Sequence, residues 1–206
     1  MKKLLIAIDG PGASGKGTLC TNLSKHFDIP HLSTGGLYRA TTRLAKEQGI
    51  PTDDVNKLVE IAKNLTLDDI NSPANFTEES RNLTANIAKI KEVRDALLQY
   101  QLDFANNEKG AVLDGRDIGT VICPDAPYKF FVIASPESRA DRRFKEEENK
   151  GLNPVYDDIL QKIKERDEKD MNRENSPFKK ADDAIEIDTT KMTIKEVFEY
   201  VLSFIK

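Results

Sequence analysis

The chain opens with the apolar run Leu4-Leu5-Ile6-Ala7-Ile8 and continues as Asp9-Gly10-Pro11-Gly12-Ala13-Ser14-Gly15-Lys16-Gly17-Thr18. A short run of apolar residues is typical of a central strand in a parallel sheet, because such a strand is buried on both faces. Apolar residues then recur at helical spacing, at Leu19, Leu23 and Phe27. The order of strand, glycine-rich loop and helix is the order that a phosphate-binding P-loop requires.

The glycine-rich loop from Gly10 to Thr18 predicts a site for a nucleoside triphosphate. Glycines let backbone N–H groups turn towards a polyphosphate, and the helix N-terminus adds partial positive charge. Lys16 would reach the β- and γ-phosphates, and Thr18 is a candidate ligand of Mg²⁺. Gly17 separates the lysine from the threonine, a spacing that resembles nucleoside-monophosphate kinases. The flanking strand and helix disfavour the alternative of a glycine-rich turn without a ligand.

Length and composition fit one globular domain. The 206 residues can bury a substantial core, and 38% hydrophobic with 32% charged residues is ordinary for a soluble protein. The net charge of −4 argues against binding to nucleic acid or to a membrane surface. The first apolar run is too short for a signal peptide, and no apolar stretch is long enough to span a membrane. We therefore expect a cytoplasmic protein, and a monomer because every apolar helix face has a place in the core.

Strand and helix patterns alternate along the rest of the chain. Four further short apolar runs predict strands at 29–32, 111–113, 129–134 and 184–187. Helices are predicted at about 37–48, 53–64, 78–106, from 135, over 156–173 and from 193. The polar stretch 68–76 contains a proline and is expected to be a loop. The alternation predicts an α/β fold with a parallel sheet.

The helix predicted over 78–106 carries a charge where the pattern calls for an apolar residue. Arg94 falls on the same stripe as Ile87 and Leu97. A guanidinium removed from water needs an anionic partner, so the pattern predicts an anion site. An arginine that extends past the edge of the core is the alternative.

The helix predicted over 156–173 shows the same feature. Ile159 and Ile163 set an apolar stripe that Arg166, Asp170 and Arg173 continue. Charges on a face already directed inward predict a polar ligand there. Surface ion pairs at spacings of three and four residues are an equally good interpretation.

Three arginines lie about one turn apart in the helix that Ser135 begins, at Arg139, Arg142 and Arg143. They are candidates for neutralising charge in a phosphoryl-transfer transition state. A run of charges is also typical of a solvated helix face, and three glutamates follow at 146–148.

Polar residues follow the strand predicted at 111–113. Asp114 ends that strand and is a candidate Mg²⁺ ligand if the strand lies beside the P-loop strand. Arg116 and Asp117 follow in a turn, and they offer a cation for a phosphate and an acceptor for an amino group. The cysteines and histidines lack the spacing of a metal site and are interpreted as structural or exposed: Cys20, Cys123, His26 and His31.

Together these motifs resemble the bacterial cytidylate kinase family. The elements that carry the resemblance occur in family order over nearly the whole chain: 9–18, Thr34-Gly35-Gly36-Leu37-Tyr38-Arg39, 92–98, Asp114-Gly115-Arg116-Asp117-Ile118-Gly119-Thr120, 164–173 and 187–190. The resemblance implies a three-layer P-loop fold with a central parallel five-stranded sheet. It also implies transfer of the γ-phosphoryl group of ATP to CMP or dCMP, with Mg²⁺.

The resemblance further implies a division of the chain and of its site. The core would comprise 1–33, 107–138 and 174–206, with a mobile monophosphate-binding segment at about 34–106 and a mobile lid with its following helix at about 139–173. Arg39 and Arg116 would hold the acceptor phosphate. The residues facing cytosine would be Thr34, Arg94, Asp117 and Arg173, and those contacting the sugar would be Arg166 and Asp170. Lid arginines between 139 and 143 would act in catalysis together with Lys16.

Two other functions are compatible with the sequence. One is a kinase for another nucleoside monophosphate, most plausibly UMP, since the family pattern changes at Ser33 and Ala85. The other is a non-catalytic P-loop switch. Switch GTPases need an Asn-Lys-x-Asp element, and neither Asn-Lys pair of this chain, at 56–57 and 149–150, continues in that way.

Overall fold

The computed structural model describes residues 3–76, 78–172 and 174–206, and at 76 and over 78–82 it describes the backbone alone. The chain divides into two compact units. The first, here called the sheet unit, comprises the residues up to His31 and those from Glu108 to Lys206. The second, the helical unit, comprises Leu32–Asn107.

Five strands form one parallel sheet in the order β2-β3-β1-β4-β5. Their bounds are Leu5–Asp9 for β1, His31–Ser33 for β2, Ala111–Gly115 for β3, Tyr128–Ile133 for β4 and Ile185–Asp188 for β5. The predicted α/β fold with a central parallel five-stranded sheet is therefore confirmed. In the register of β1 and β3, Ile8 lies opposite Asp114 and Asp9 opposite Gly115, so both strands end at the same edge.

The α-helices of the described residues follow in chain order. They are α1 Lys16–Phe27, α2 Thr34–Glu47, α3 Val55–Lys63, α4 Leu67–Asn71, α5 Glu78–Ile87, α6 Lys91–Ala105, α7 Pro136–Glu148, α8 Tyr156–Met171 and α9 Ile194–Leu202. A 3-10 turn spans Pro73–Phe76, and a short π-helical turn spans Ile118–Ile122. Within the described ranges, no helix is long and apolar enough to cross a membrane.

The core of the sheet unit forms where β1 and β4 pack against α1 and α9. Its largest contributors are fully buried aliphatic and aromatic side chains, among them Ile6, Ile8, Leu23, Phe130 and Val201. The successive residues of β1 from Ile6 to Asp9 are all buried, as expected for a central strand covered on both faces. This burial fixes the point at which the glycine-rich loop leaves the sheet.

Local signals in the sequence set two helix starts. The Ser135 side chain accepts a hydrogen bond from the Ser138 N–H, and Pro136 occupies the first turn of α7. Thr193 and Glu196 form a reciprocal capping box at the start of α9. Because each cap satisfies N–H groups that the helix itself cannot pair, these starts were predictable from local chemistry.

The single helix predicted over 78–106 is wrong, because the structure has two helices, α5 and α6, with a break at 88–90. Arg94 donates a hydrogen bond to the carbonyl oxygen of Ala88 at 3.4 Å. In a continuous helix that carbonyl would accept from the N–H four residues later. The break lets both Ile87 and Val93 be fully buried, although they are six residues apart.

The loop predicted over 68–76 is also wrong in part, since α4 and the 3-10 turn fall there. Thr66 and Asp69 form a capping box that begins α4. The buried Asn75 amide then donates to the carbonyl oxygens of Asp69 and Ile70, at 2.7 and 2.9 Å. The bond to Ile70 satisfies a carbonyl at the end of α4, and the bond to Asp69 adds to the one that the Ser72 N–H donates to the same oxygen at 3.4 Å.

Replacing Gly110 should destabilise the sheet unit. Gly110 has a φ of +97°, and a Cβ at this position would overlap the carbonyl oxygen of Leu4. For Gly110→Ala we expect the free energy of unfolding to fall by about 2–4 kcal/mol, from backbone strain and overpacking together. Gly151→Ala is the matched control, because its φ is +73° and its surroundings are open. That control should lose only about 1 kcal/mol. Equal losses in urea unfolding would contradict the role of the Leu4 contact.

Candidate functional site

The predicted P-loop joins the end of β1 to the start of α1. Its residues 10–15 turn at the carboxyl edge of the sheet, where the Gly10 N–H donates to the carbonyl oxygen of Gly115 at 3.2 Å. Gly15 is the N-cap of α1 with a φ of 88°, and this cap provides no side-chain hydrogen bond. The first turn of α1 also carries no acidic residue. Its N–H groups and its dipole are therefore available to an anion.

Lys16, the first residue of α1, lies beside Asp114 at the end of β3. Its Nζ is 3.9 Å from Asp114 Oδ2 and donates to the carbonyl oxygen of Pro11 at 3.4 Å. Burial, followed by the charge of Arg116, lowers the pKa of Lys16 to about 8. Because burial destabilises the charged form of Lys16, binding of an anion beside the ammonium would be favourable.

Asp114 has a further partner, which the sequence analysis did not identify as functional. His31 Nε2 lies 2.8 Å from Asp114 Oδ1. The hydrogen bond from the Val112 N–H to the carbonyl oxygen of Pro30, at 2.9 Å, brings His31 to β3. Asp114 is buried and contacts a lysine on one side and an imidazole on the other. Thr18, its predicted partner in a metal site, is exposed on the first turn of α1.

Asp9, the last residue of β1, is a second acidic group that the sequence analysis did not identify. Its carboxylate accepts hydrogen bonds from the N–H groups of Ile118 and Gly119, both at 2.8 Å. Burial raises the pKa of Asp9 to about 6, despite these two bonds. The carboxylate fixes the turn that follows Arg116 and Asp117, and Asp117 itself is buried.

Arg116 and Asp170, predicted to contact different parts of an acceptor, bind each other. Arg116 Nε donates to Asp170 Oδ2 at 2.8 Å, and its Nη1 donates to the carbonyl oxygen of Gly10. Arg166, one turn earlier on α8, is half-buried, and its Nε is a buried group without a hydrogen-bond partner. Burial and the charge of Arg116 lower the pKa of Arg166. Two guanidinium groups that repel each other beside the P-loop indicate a place for an anion.

Arg139 is almost fully buried, with 3% of its side chain exposed. Its guanidinium forms a two-point ion pair with Asp167 on α8 and donates to the carbonyl oxygens of Ala134 and Gly12. This arginine therefore connects α7, α8 and the P-loop. Its predicted part in neutralising transferred phosphate stays a prediction.

Arg142 and Arg143 line a cavity of about 310 Å³ beside the start of α1. Arg142 donates to the hydroxyl and carbonyl oxygens of Thr189, and Arg143 pairs with Glu146 and Glu147. The other walls of the cavity are partly apolar and come from the P-loop, from α1, from the stretch that leads into α9 and from α9 itself, including Ala13, Thr18, Leu19, Met192, Ile194 and Val197. The position beside a phosphate-binding helix terminus suits the base and sugar of a nucleotide.

Thr189 lines the cavity but was not among the site residues predicted from the sequence. Its position directly after a strand could have indicated it. It directly follows β5 at the carboxyl edge of the sheet, and its hydroxyl donates to the carbonyl oxygen of Ser14 at 2.9 Å. The rule that placed Asp114 at a ligand-binding edge applies equally to Thr189.

The helical unit holds three of the predicted acceptor-binding residues. Thr34 is buried at the start of α2, and Arg39 lies one turn later on the same helix. Arg94 on α6 is buried with its guanidinium carbon 5.8 Å from the centre of the Tyr38 ring. Arg173, another basic candidate for the acceptor, lies outside the described residues.

A parallel sheet with a glycine-rich loop after its central strand, a lysine opening the next helix and an aspartate ending the adjacent strand defines a P-loop nucleotide-binding protein. The sequence model of the family named "Cytidylate kinase" matches residues 6–206. The chain therefore belongs to the cytidylate kinase family.

Individual relatives agree with this assignment. A cytidylate kinase from Methylocella silvestris is 44% identical over 203 residues, which cover 98% of this chain and 94% of the relative. One from Clostridioides difficile is 42% identical over 214 residues, with 98% of each chain covered. The fold is also similar to the crystal structure of a gluconokinase from Sinorhizobium meliloti, at a TM-score of 0.51 and 15% identity, with 99% of this chain and 93% of that chain covered.

The lowered pKa of Lys16 predicts that binding of a nucleoside triphosphate weakens in alkali. A phosphate ligand binds the protonated amine, whose pKa in the free protein is about 8. As the pH rises past that value the amine must first take up a proton, so the affinity for ATP should fall by up to about tenfold per pH unit. Calorimetry without metal, from about pH 7 to about pH 10, measures this.

Lys16→Arg is the control for that titration, because arginine stays protonated throughout the range. Its affinity for ATP, whatever its absolute value, should change little with pH. A pH-independent affinity in the protein with Lys16 intact would contradict the assignment of the titrating group.

Proposed function

We propose that the protein transfers the γ-phosphoryl group of ATP to CMP and to dCMP by direct in-line displacement. Membership of the cytidylate kinase family supports the reaction and its acceptor. The observation that carries the mechanism is the meeting of Lys16, Asp114 and the Arg116–Asp170 pair at one edge of the sheet. This edge combines cations for a polyphosphate with a carboxylate, as phosphoryl transfer requires.

The donor half of the site is the P-loop with the cavity beside it. Backbone N–H groups of residues 10–18 and the Lys16 ammonium hold the phosphates of ATP, and the cavity lined by Arg142 and Thr189 receives the adenosine. Hydroxyl and carboxylate oxygens are the ligands that Mg²⁺ prefers, so Thr18 and Asp114 fit that ion and would hold it. Mg²⁺ bound there would neutralise negative charge on the phosphates.

Arginines provide the remaining positive charge, and their surroundings divide their roles. Arg142 and Arg143 line the donor cavity, and Arg166 has a buried Nε without a partner. These three stabilise negative charge that develops on the transferred group. Arg139 acts with them in this proposal, and because Asp167 and backbone carbonyls hold it, it also positions α7 and the P-loop.

The acceptor half consists of the residues that the family resemblance assigns to the acceptor. Arg39 and Arg116 bind the phosphate of the acceptor, and Arg166 with Asp170 contacts its sugar. Thr34, Arg94 and Arg173 face the base together with Asp117. An ionised Asp117 accepts a hydrogen bond from the exocyclic amino group of cytosine, whereas it would repel the carbonyl oxygen of uracil at the same position.

Closure of two segments completes the site in this proposal. The monophosphate-binding segment at about 34–106 and the lid with its following helix at about 139–173 move towards the core made of 1–33, 107–138 and 174–206. Closure excludes water and so suppresses hydrolysis of ATP. One chain supplies every residue named, so we propose that the protein acts as a monomer.

The function is tested by coupled release of ADP with CMP, dCMP, UMP, AMP and GMP as acceptors. We expect CMP and dCMP to give the highest kcat/KM. In Asp117→Asn the side-chain amide can donate to uracil, so the ratio of kcat/KM for CMP over UMP should fall by about 10- to 100-fold. Asp125→Asn, which changes an exposed aspartate of the sheet unit, should leave the ratio unchanged. A preference for UMP, or no stimulation by any acceptor, would overturn the proposal.

Lys16→Met should abolish most of the turnover while the fold survives. The change keeps the length of the side chain and removes the charge that stabilises the transferred phosphate, so kcat should fall by at least about 100-fold. Its thermal midpoint should not fall, because the buried ammonium is costly in the unliganded protein. Lys195→Met is the control, since Lys195 is 82% exposed on α9. Near-normal turnover in Lys16→Met would disprove the mechanism.

A further inference from the structure

Three residues with different ligand atoms meet beneath the P-loop. Cys20 lies one turn after Lys16 on α1, His31 opens β2 and Asp114 ends β3. The ligand atoms of the three side chains all lie within 4.8 Å of one another. Cys20 and Asp114 are buried, and His31 is half-buried with 18% of its side chain exposed. All three belong to the sheet unit.

Phosphoryl transfer does not account for this cluster. Mg²⁺ selects oxygen ligands, and neither a thiol nor an imidazole is among them. A thiolate, an imidazole and a carboxylate together are instead the donor set of a borderline-soft ion such as Zn²⁺. Zinc sites with three protein ligands keep a fourth position for water or another ligand.

We propose that Cys20, His31 and Asp114 form a binding site for one Zn²⁺-like divalent cation. His31 binds through its neutral imidazole, and Asp114 through a carboxylate oxygen. Cys20 binds as the thiolate, so its thiol proton leaves to solvent when the cation arrives. The thiolate and the carboxylate then balance the two positive charges of the ion.

The surroundings determine how selective the site is. Burial, together with the charge of Asp114, raises the pKa of the Cys20 thiol, so without a cation the residue is an inert neutral group. The Lys16 ammonium lies 3.9 Å from Asp114 Oδ2, so it repels any metal cation that binds this carboxylate. Its Nζ also donates a hydrogen bond to the carbonyl oxygen of Pro11, which is a second partner for the ammonium when a metal binds Asp114. Weakly binding hard cations therefore lose to an ion that forms a strong bond to sulfur.

Occupation of the site changes the charge of Asp114 towards its proposed catalytic partners. A cation bound to the carboxylate neutralises the negative charge that Mg²⁺ and Lys16 would otherwise meet there, and the two cations repel each other. A cation in this cluster therefore inhibits phosphoryl transfer. This consequence rests on the proposed function, whereas the binding site itself does not.

Titration of the full-length protein with Co²⁺ in the absence of nucleotide tests the site directly. Co²⁺ adopts zinc geometries, and its bond to a thiolate gives a near-ultraviolet charge-transfer band. We expect one equivalent to produce that band. Cys20→Ser should lose it, whereas Cys123→Ser should keep it, because Cys123 is the other buried free cysteine. No band in the unaltered protein, or the same band in Cys20→Ser, overturns the proposal.

His31→Asn is a second test variant, which keeps the proposal testable if Cys20→Ser does not fold. His31 is partly exposed, so its replacement disturbs the core less than replacement of the buried Cys20. Competition with a chromophoric chelator should show Zn²⁺ affinity at least about tenfold weaker in this variant. Its thermal midpoint without metal should match that of the unaltered protein. Unchanged Zn²⁺ affinity in His31→Asn would also overturn the proposed ligand set.

Activity measured with Zn²⁺ added at fixed Mg²⁺ and ATP tests the inhibition separately. Cys20→Ser should need at least about tenfold more Zn²⁺ than the unaltered protein for half inhibition. Equal sensitivity of the two proteins would overturn the inhibitory role. If the acceptor preference failed, the Co²⁺ band would still report on the site, so the two proposals can fail independently.

Discussion

The parallel pairing of β1 with β3 is the constraint on which the rest of the site depends. Its register sets Ile8 opposite Asp114, and the next residues along β1 lead directly into the glycine-rich loop. The hydrogen bond from the Gly10 N–H to the carbonyl oxygen of Gly115 continues this pairing past the end of the strands. Because both strands end at one edge, Lys16 and Asp114 lie side by side although they are far apart in the sequence.

Around this edge, carboxylates fix the positions of guanidinium groups. A polyphosphate that binds there therefore does not have to order these side chains itself. Asp170 fixes Arg116 and Asp167 fixes Arg139, and both carboxylates come from α8. An ion pair removed from water adds little net stability, since desolvation offsets most of the attraction. The effect of these two ion pairs is to fix positions, because α8 holds the arginines close to the P-loop before a ligand binds.

Local chemistry and tertiary contacts contributed differently to what could be predicted. The strand, loop and helix around Lys16 and the capping box at Thr193 follow from residues close together in sequence, and the structure has them where expected. The break between α5 and α6 has no glycine or proline to announce it. Arg94 reaches back to the carbonyl oxygen of Ala88, six residues earlier, at the point where Ile87 becomes fully buried. That burial is a tertiary feature, which the local sequence does not specify.

The sequence by itself determined the α/β fold, the phosphate-binding loop and the cations and carboxylates available to the site, because each has a local pattern. Only the tertiary structure decided which of those groups meet. Nothing in the spacing of Cys20, His31 and Asp114 indicates that their ligand atoms lie within 4.8 Å of one another. Strand order in a parallel sheet is set by long-range pairing and burial, and the side chains that share its carboxyl edge are known only once that order is fixed.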